Sequence, residues 1–126
     1  MDSTQITSTT PTIDRIQRQI SQNPVLLYLK GTPDFPKCGF SGQVARILAS
    51  LNTQYRYVNI LENPDIRSSL PQYAKWPTFP QLWVKGELIG GCDIVTDLHQ
   101  QGALKSLLEA AEALSETGAE TALAVE

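Results

Sequence analysis

The sequence predicts an α/β domain built on a four-stranded mixed sheet flanked by helices, and three observations carry that prediction. Short apolar runs of strand length alternate with segments whose apolar residues recur at helical spacing. The first run, "VLLYLK" at 25–30, is continuously apolar, as strands covered on both faces of a parallel sheet are. Late in the chain, two short strand-like segments flank Lys85-Gly86, a tight-hairpin signature that adds an antiparallel pair. The resulting order, αβαβαββαα, needs right-handed crossovers early on and therefore places helices on both faces of the sheet.

Each element has its own warrant. "TIDRIQRQISQNP" places Ile13, Ile16 and Ile20 on one helical stripe, with Thr12 as the candidate cap and Asn23-Pro24 as the stop. After the strand at 25–30 and a Gly/Pro-rich loop, "GFSGQVARILASLN" sets Val44, Ile47, Leu48 and Leu51 at helical spacing. "YRYVNI" alternates as a strand does, and "NPDIRSSLPQYA" is a short helix opened by Asn63 and Pro64. The hairpin "FPQLWVKGELIGG" follows. "CDIVTDLHQQGALKSLLEAAEAL" closes the domain as a helical region broken at Gly102. Residues 1–11, rich in Ser, Thr and Gln, are expected to form a flexible tail, residues 12–114 the domain, and residues 115–126 a frayed C-terminal tail. No internal repeat is visible.

Composition narrows the function classes. A chain of 126 residues is long enough to bury a core without staples, and its 41% hydrophobic and 18% charged content is that of a globular domain. A net charge of -3 argues against a nucleic-acid surface, which relies on basic patches. No apolar run has the length of a membrane span, and "MDSTQITSTTPT" has neither the basic and apolar regions of a secretory signal nor the arginines of a transit peptide. Two cysteines make no disulfide framework, so a reducing cytoplasm is the expected setting.

Chemistry concentrates in "YLKGTPDFPKCGFSGQ", residues 28–43. Cys38 stands directly before a helix, where unpaired amides and the positive end of the dipole favour a thiolate over the thiol. Lys37 and Lys30 add positive potential if they point inward. The plain alternative, a small buried cysteine, fits poorly with an exposed Gly/Pro-rich turn. Ser41 occupies the place where a dithiol redox motif would carry its second cysteine. Cys92, in "GGCD" at another strand-to-helix turn, is either a structural cysteine and occasional disulfide partner or a ligand contact. A structural zinc site needs four Cys or His ligands, and two cysteines with His99 do not supply them. Any bound metal must borrow ligands from elsewhere. In "WPTFP", two prolines bracket Thr78-Phe79, and a cis Phe79–Pro80 bond is expected, with the Phe79 backbone groups free to pair with an extended peptide. The alternative is an ordinary aromatic-rich strand start.

"CGFS" after "KGTPDFPK", followed by "NPDIR", "WPTFPQLWV" and "GGCDI" in that order, closely resembles the monothiol glutaredoxins of the CGFS class, single-domain bacterial type, from about Ile13 to Leu114. The resemblance implies a thioredoxin-like fold, glutathione binding, and a [2Fe-2S] cluster held between two subunits by Cys38 of each and two glutathione thiolates, which completes the four thiolates such clusters usually take. It further implies that Lys30 and Arg67 hold the glycyl carboxylate of glutathione, that the Phe79 backbone pairs with its cysteinyl unit, and that Cys92 and Asp93 receive its γ-glutamyl end. Taken singly, Arg67 and Asp93 would be ordinary surface charges. Phe40 either shields the cluster side or faces the core, and Trp76 and Thr78 fit the groove's rim. The implied role is iron-sulfur cluster storage and transfer to apo-proteins by a homodimer, with BolA-type proteins as heterodimer partners. The alternative is a glutathione-dependent thiol-disulfide oxidoreductase acting through Cys38. The stretch "TPDFP" is longer than the corresponding loop of dithiol relatives and favours the first reading.

Overall fold

The computed structural model describes residues 10–115 and 117–125. Its elements run α1 (Pro11–Gln22), β1 (Val25–Leu29), α2 (Gly39–Ser50), β2 (Gln54–Asn59), α3 (Pro64–Ala74), β3 (Gln81–Val84), β4 (Glu87–Gly90), α4 (Cys92–Gln100), α5 (Ala103–Ala110) and β5 (Thr121–Ala124). The sheet order is β4-β3-β1-β2-β5, with β1 parallel to β2, β2 parallel to β5, and β3 antiparallel to both β1 and β4.

Strand β1 shows why its sequence is apolar without interruption. All five residues are buried, and they divide by parity between two cores. Val25, Leu27 and Leu29 face α2, α4 and α5, packing with Val44, Leu48, Val95, Leu104 and Leu108. Leu26 and Tyr28 face α1 and α3, packing with Ile16, Ile20, Ile66 and Leu70. A period-two strand between two helical layers must be apolar at every position. Full burial of each such side chain stabilises the fold by roughly 1.5–3 kcal/mol.

Helix α1 begins at Pro11, and its cap lies two residues before the expected one. Thr10 is the cap, its hydroxyl accepting from the Ile13 N–H at 3.1 Å, because Pro11 suits the first helical position, where its missing N–H is not needed. Thr12 instead donates to Asp65 Oδ2 at 3.0 Å and helps tie α1 to α3. Of the expected flexible segment 1–11, residues 1–9 lie outside the described residues. The β3–β4 hairpin turns through Lys85 and Gly86, both at positive φ (53° and 81°), the backbone demanded by a two-residue type I′ turn. Gly102, at φ 77°, separates α4 from α5 at the expected break.

The sheet has five strands rather than four, and the extra one lies in the segment expected to fray. In β5 the Thr121 N–H donates to the Thr53 carbonyl at 3.0 Å, and just beyond it the Val125 N–H donates to the Tyr57 carbonyl at 2.9 Å. "TALA" carries no strong strand pattern because three of its four residues are exposed. What orders it is the outer edge of β2, a row of backbone groups that would otherwise face solvent. That partner is more than sixty residues away in the chain, outside the reach of a local pattern.

Candidate functional site

The end of β1, the loop after it and the first turn of α2 form one hydrogen-bonded unit. Beyond Leu29, the Lys30 carbonyl accepts from the Lys37 N–H at 2.9 Å, so the intervening residues fold back as a short loop. Thr32 and Phe35 pair their backbones across it, and Phe35 projects 72% exposed near its tip. Gly31 is required here: at φ 93°, an added Cβ would lie 2.5 Å from the Phe35 carbonyl oxygen and 2.8 Å from the Lys37 nitrogen. Asn59, at the end of β2, fixes this corner from outside, its Oδ1 accepting from both the Gly31 and Leu61 N–H groups at 3.0 Å.

This unit delivers Cys38 as the N-cap of α2. Its Sγ accepts from the Ser41 N–H at 3.3 Å and lies 3.3 Å from the Ser41 Oγ. Burial alone would push the thiol pKa up. The Ser41 hydroxyl, the Ser41 and Phe40 amides and the charge of Lys30 together outweigh it, and the net direction is down from the ordinary thiol value. The thiol pKa is thus lowered, as the helix-start position predicts, and Ser41 contributes to it while Lys37 is not among the causes.

Lys30 and Phe40, which precede and follow Cys38 in the chain, line a cleft of about 670 Å³. Lys30, Arg67, Phe79, Cys92 and Asp93 all line it, so the structure gathers around one space the five residues the resemblance assigns to glutathione. Cys38 is half-buried and does not itself line the cleft, whereas Phe40, two residues on, does. Arg67, on α3, and Asp93, on α4, belong to helices on opposite faces of the sheet and meet only where the cleft crosses the sheet's end. The α4 N-terminus is capped by Gly91, with the first helical amide bond running from Val95 to Gly91. The amides of Cys92, Asp93 and Ile94 are thus left for an anion.

The Phe79–Pro80 peptide is cis, as expected. Among the described residues the Phe79 N–H and C=O pair with no other backbone group outside helices and strands. Gln81, wholly buried, braces this segment by donating from Nε2 to the carbonyls of Trp76 at 3.1 Å and Thr78 at 3.3 Å. Phe40 is 64% exposed, which removes the core-facing reading of that residue. Both cysteines are free, and Cys92 Sγ sits 3.9 Å from Thr96 Oγ1 on the cleft side of α4. Among the described residues there is no group of three or more His, Cys, Asp or Glu side chains that could hold a metal ion. His99 lies in the last turn of α4, away from the residues lining the cleft.

Sequence reasoning gave no role to Ser41, Gly91 or Asn59. For Gly91 the signal was the doubled glycine before Cys92: a Cβ there would sit 3.3 Å from the Pro80 carbonyl oxygen, in the floor of the cleft. Asn59 carries no local signal, since its partners are brought to it by the parallel β1–β2 pairing.

Comparison with known proteins agrees with this geometry. Residues 25–89 match the glutaredoxin family model. Glutaredoxin 4 of Escherichia coli strain K12 is 59% identical over 98 residues, covering 78% of this chain and 85% of the relative. The solution structure of reduced poplar apo GrxS14 superposes with a TM-score of 0.66 at 45% identity, covering 79% of this chain and 91% of that one. A buckwheat glutaredoxin–glutathione complex shares the fold with a TM-score of 0.73 at 23% identity, covering 91% of this chain and all of that one.

Proposed function

Because the chain belongs to the glutaredoxin family and has the pattern of its monothiol CGFS class, we propose that it is a glutathione-dependent carrier of [2Fe-2S] clusters, receiving, storing and passing them to apo-proteins. The observation that carries this reading is Cys38 itself: a thiol of lowered pKa at a helix N-cap, two residues before Phe40 in the wall of a cleft of about 670 Å³, with a serine where a resolving cysteine would stand.

The cleft suits the tripeptide end by end. Lys30 and Arg67 supply cations for the glycyl carboxylate, Arg67 with two parallel donors. The free Phe79 backbone groups suit an extended peptide's N–H and C=O. The open amides of α4 suit the γ-glutamyl carboxylate, and the Asp93 carboxylate its ammonium. The glutathione thiol then falls beside Cys38.

The donor set also fits a cluster as cargo. One chain offers two half-buried cysteines and, among the described residues, no group of three or more His, Cys, Asp or Glu side chains, so a four-thiolate cargo is shared between chains. Two copies of Cys38 and two glutathione thiols make that set in a homodimer. Because half of the ligands are exchangeable small molecules, release to an apo-protein, or exchange to a BolA-type partner, does not require the chain to unfold. The reducing thiol pool that this demands is that of the cytoplasm.

The measurement that tests this is the absorption spectrum of the protein reconstituted with iron, sulfide and glutathione, with its iron content and size-exclusion mass. A red-brown dimer with one cluster per two chains is expected, and full cluster absorbance in Cys38→Ser would overturn the assignment.

A second reading is favoured by the lowered thiol pKa. In it the Cys38 thiolate attacks the glutathionyl sulfur of a mixed disulfide, forming Cys38–S–S–glutathione as the substrate thiolate leaves and takes a proton. A second glutathione thiolate then displaces Cys38, giving oxidised glutathione and restoring the thiolate. High turnover in glutathione-coupled disulfide reduction would favour this over the carrier reading.

A further inference from the structure

Ser41 stands where a dithiol motif has its second cysteine and helps lower the Cys38 pKa, and its surroundings are unusual for a substituted position. It is completely buried at the third position of α2, and its hydroxyl is engaged on two sides. The Lys30 backbone N–H donates to Oγ at 3.0 Å, and Cys38 Sγ lies 3.3 Å from the same atom. No other hydrogen bond to this hydroxyl exists among the described residues. As a neutral thiol, Sγ donates to Oγ, so the hydroxyl accepts twice and its own hydrogen is buried without a partner, at a cost. With an acceptor sulfur every group is paired: Lys30 N–H donates to the hydroxyl, and the hydroxyl donates to Sγ.

We propose that Ser41 is the positioning residue for Cys38, its buried hydroxyl relaying a hydrogen bond from the Lys30 amide to the sulfur and holding that sulfur as an acceptor. The inference rests on Cys38 being the working sulfur. The relay joins the end of β1, which also carries the Lys30 side chain into the cleft, to the first turn of α2. The sulfur and one glutathione-facing cation therefore share a single hinge point. A bound thiolate, a mixed disulfide and a metal-bound sulfur all keep a lone pair for the Ser41 hydroxyl, so the same contact serves each state.

The test uses reduced, metal-free protein and iodoacetamide, a neutral reagent whose carbon the sulfur attacks as iodide leaves, with modification at Cys38 followed by peptide mass at pH 7. Ser41→Ala is expected to react about tenfold more slowly, the factor one hydrogen bond to a charged group carries, and Ser41→Thr, which keeps the hydroxyl, to stay within about threefold of the parent. An alanine variant as fast as the parent overturns the proposal, as does a folded threonine variant as slow as alanine. If either variant fails to fold, proton NMR of the parent decides. A slowly exchanging Ser41 hydroxyl signal that moves when Cys38 is alkylated supports the relay, and a hydroxyl exchanging with water as a surface serine does overturns it. Neither measurement involves iron, sulfide or glutathione, so failure of the carrier reading and failure of the relay are separately visible.

Discussion

Gly31 and Arg67 show how differently single side chains bear on this protein. Gly31 matters for the backbone: a side chain there must fit both a φ of 93° and a carbonyl oxygen 2.5 Å away. Gly31→Ala is therefore expected to destabilise the protein by about 1–3 kcal/mol and to lower Cys38 reactivity with it. Urea unfolding monitored by circular dichroism checks the first and iodoacetamide labelling the second. Arg67 matters for its charge: it lines the cleft from α3 and holds nothing in the core. Arg67→Ala should leave the unfolding midpoint nearly unchanged while weakening glutathione binding at least tenfold, the loss of a charge-assisted pair. Calorimetric titration with reduced glutathione measures this, and unaltered affinity would remove Arg67 from the site. "KCGFS" and "NPDIR" made Cys38 and Arg67 legible from the sequence. The need for Ser41 to be buried was not, because a serine's partners are set by the turn that encloses it.

The helices and strands divide into those that hold the core and those that close an edge. Ile66 of α3 and Leu104 of α5 are each fully buried, on opposite faces of the sheet, and truncation of either to alanine should cost about 2–5 kcal/mol in urea unfolding. Between α1 and α3, Arg15 Nη1 meets Asp65 Oδ2 at 2.9 Å with both side chains partly exposed, a pairing worth at most about 1 kcal/mol. The Arg15 guanidinium, followed by the Thr12 hydroxyl and the Ile66 amide, holds the Asp65 carboxyl below its ordinary value despite some burial. A depressed carboxyl stabilises the fold above its unfolded value and loses that contribution as pH falls through the folded one. Thermal stability of the parent should exceed that of Asp65→Asn at pH 7, and the gap should close as the pH is taken below about 4. Strand β5 behaves oppositely. Burial, with Asp34 nearby, pushes Glu120 up although the Tyr55 hydroxyl, donating at 3.3 Å, pulls it down. A raised carboxyl favours the fold at low pH and loses that advantage as pH rises through it. Charged Glu120 thus loosens β5 at neutral pH. Glu120→Gln should slow amide hydrogen exchange at Thr121 and Val125 at pH 7, with the two proteins converging under acid conditions.

For the molecule as a whole, two helical layers on one sheet give a core thick enough that the cleft can be built from pieces with little stabilising role of their own. The cleft lies at the sheet's end, where the end of β1, the first turn of α2, the segment 76–80 and the start of α4 meet. Cys38→Ser should accordingly abolish cluster loading while leaving the unfolding free energy within about 0.5 kcal/mol of the parent, since it alters a half-buried group outside both cores. A large loss of stability would mean that Cys38 is structural. The chain's own pattern sufficed for the elements from α1 through α5, the α/β class and the helix-start cysteine, because helical period, strand period, hairpin glycine and that cysteine are all local signals, while the other residues of the site were implied by the family resemblance. Folding in three dimensions settled the rest. It paired "TALA" with the edge of β2, set Asn59 against Gly31, enclosed Ser41 between Lys30 and Cys38, and drew Arg67 and Asp93 from opposite faces of the sheet to one cleft. Each of these depends on a partner that only the crossovers bring near, and a local pattern carries no information about a neighbour that arrives from elsewhere in the chain.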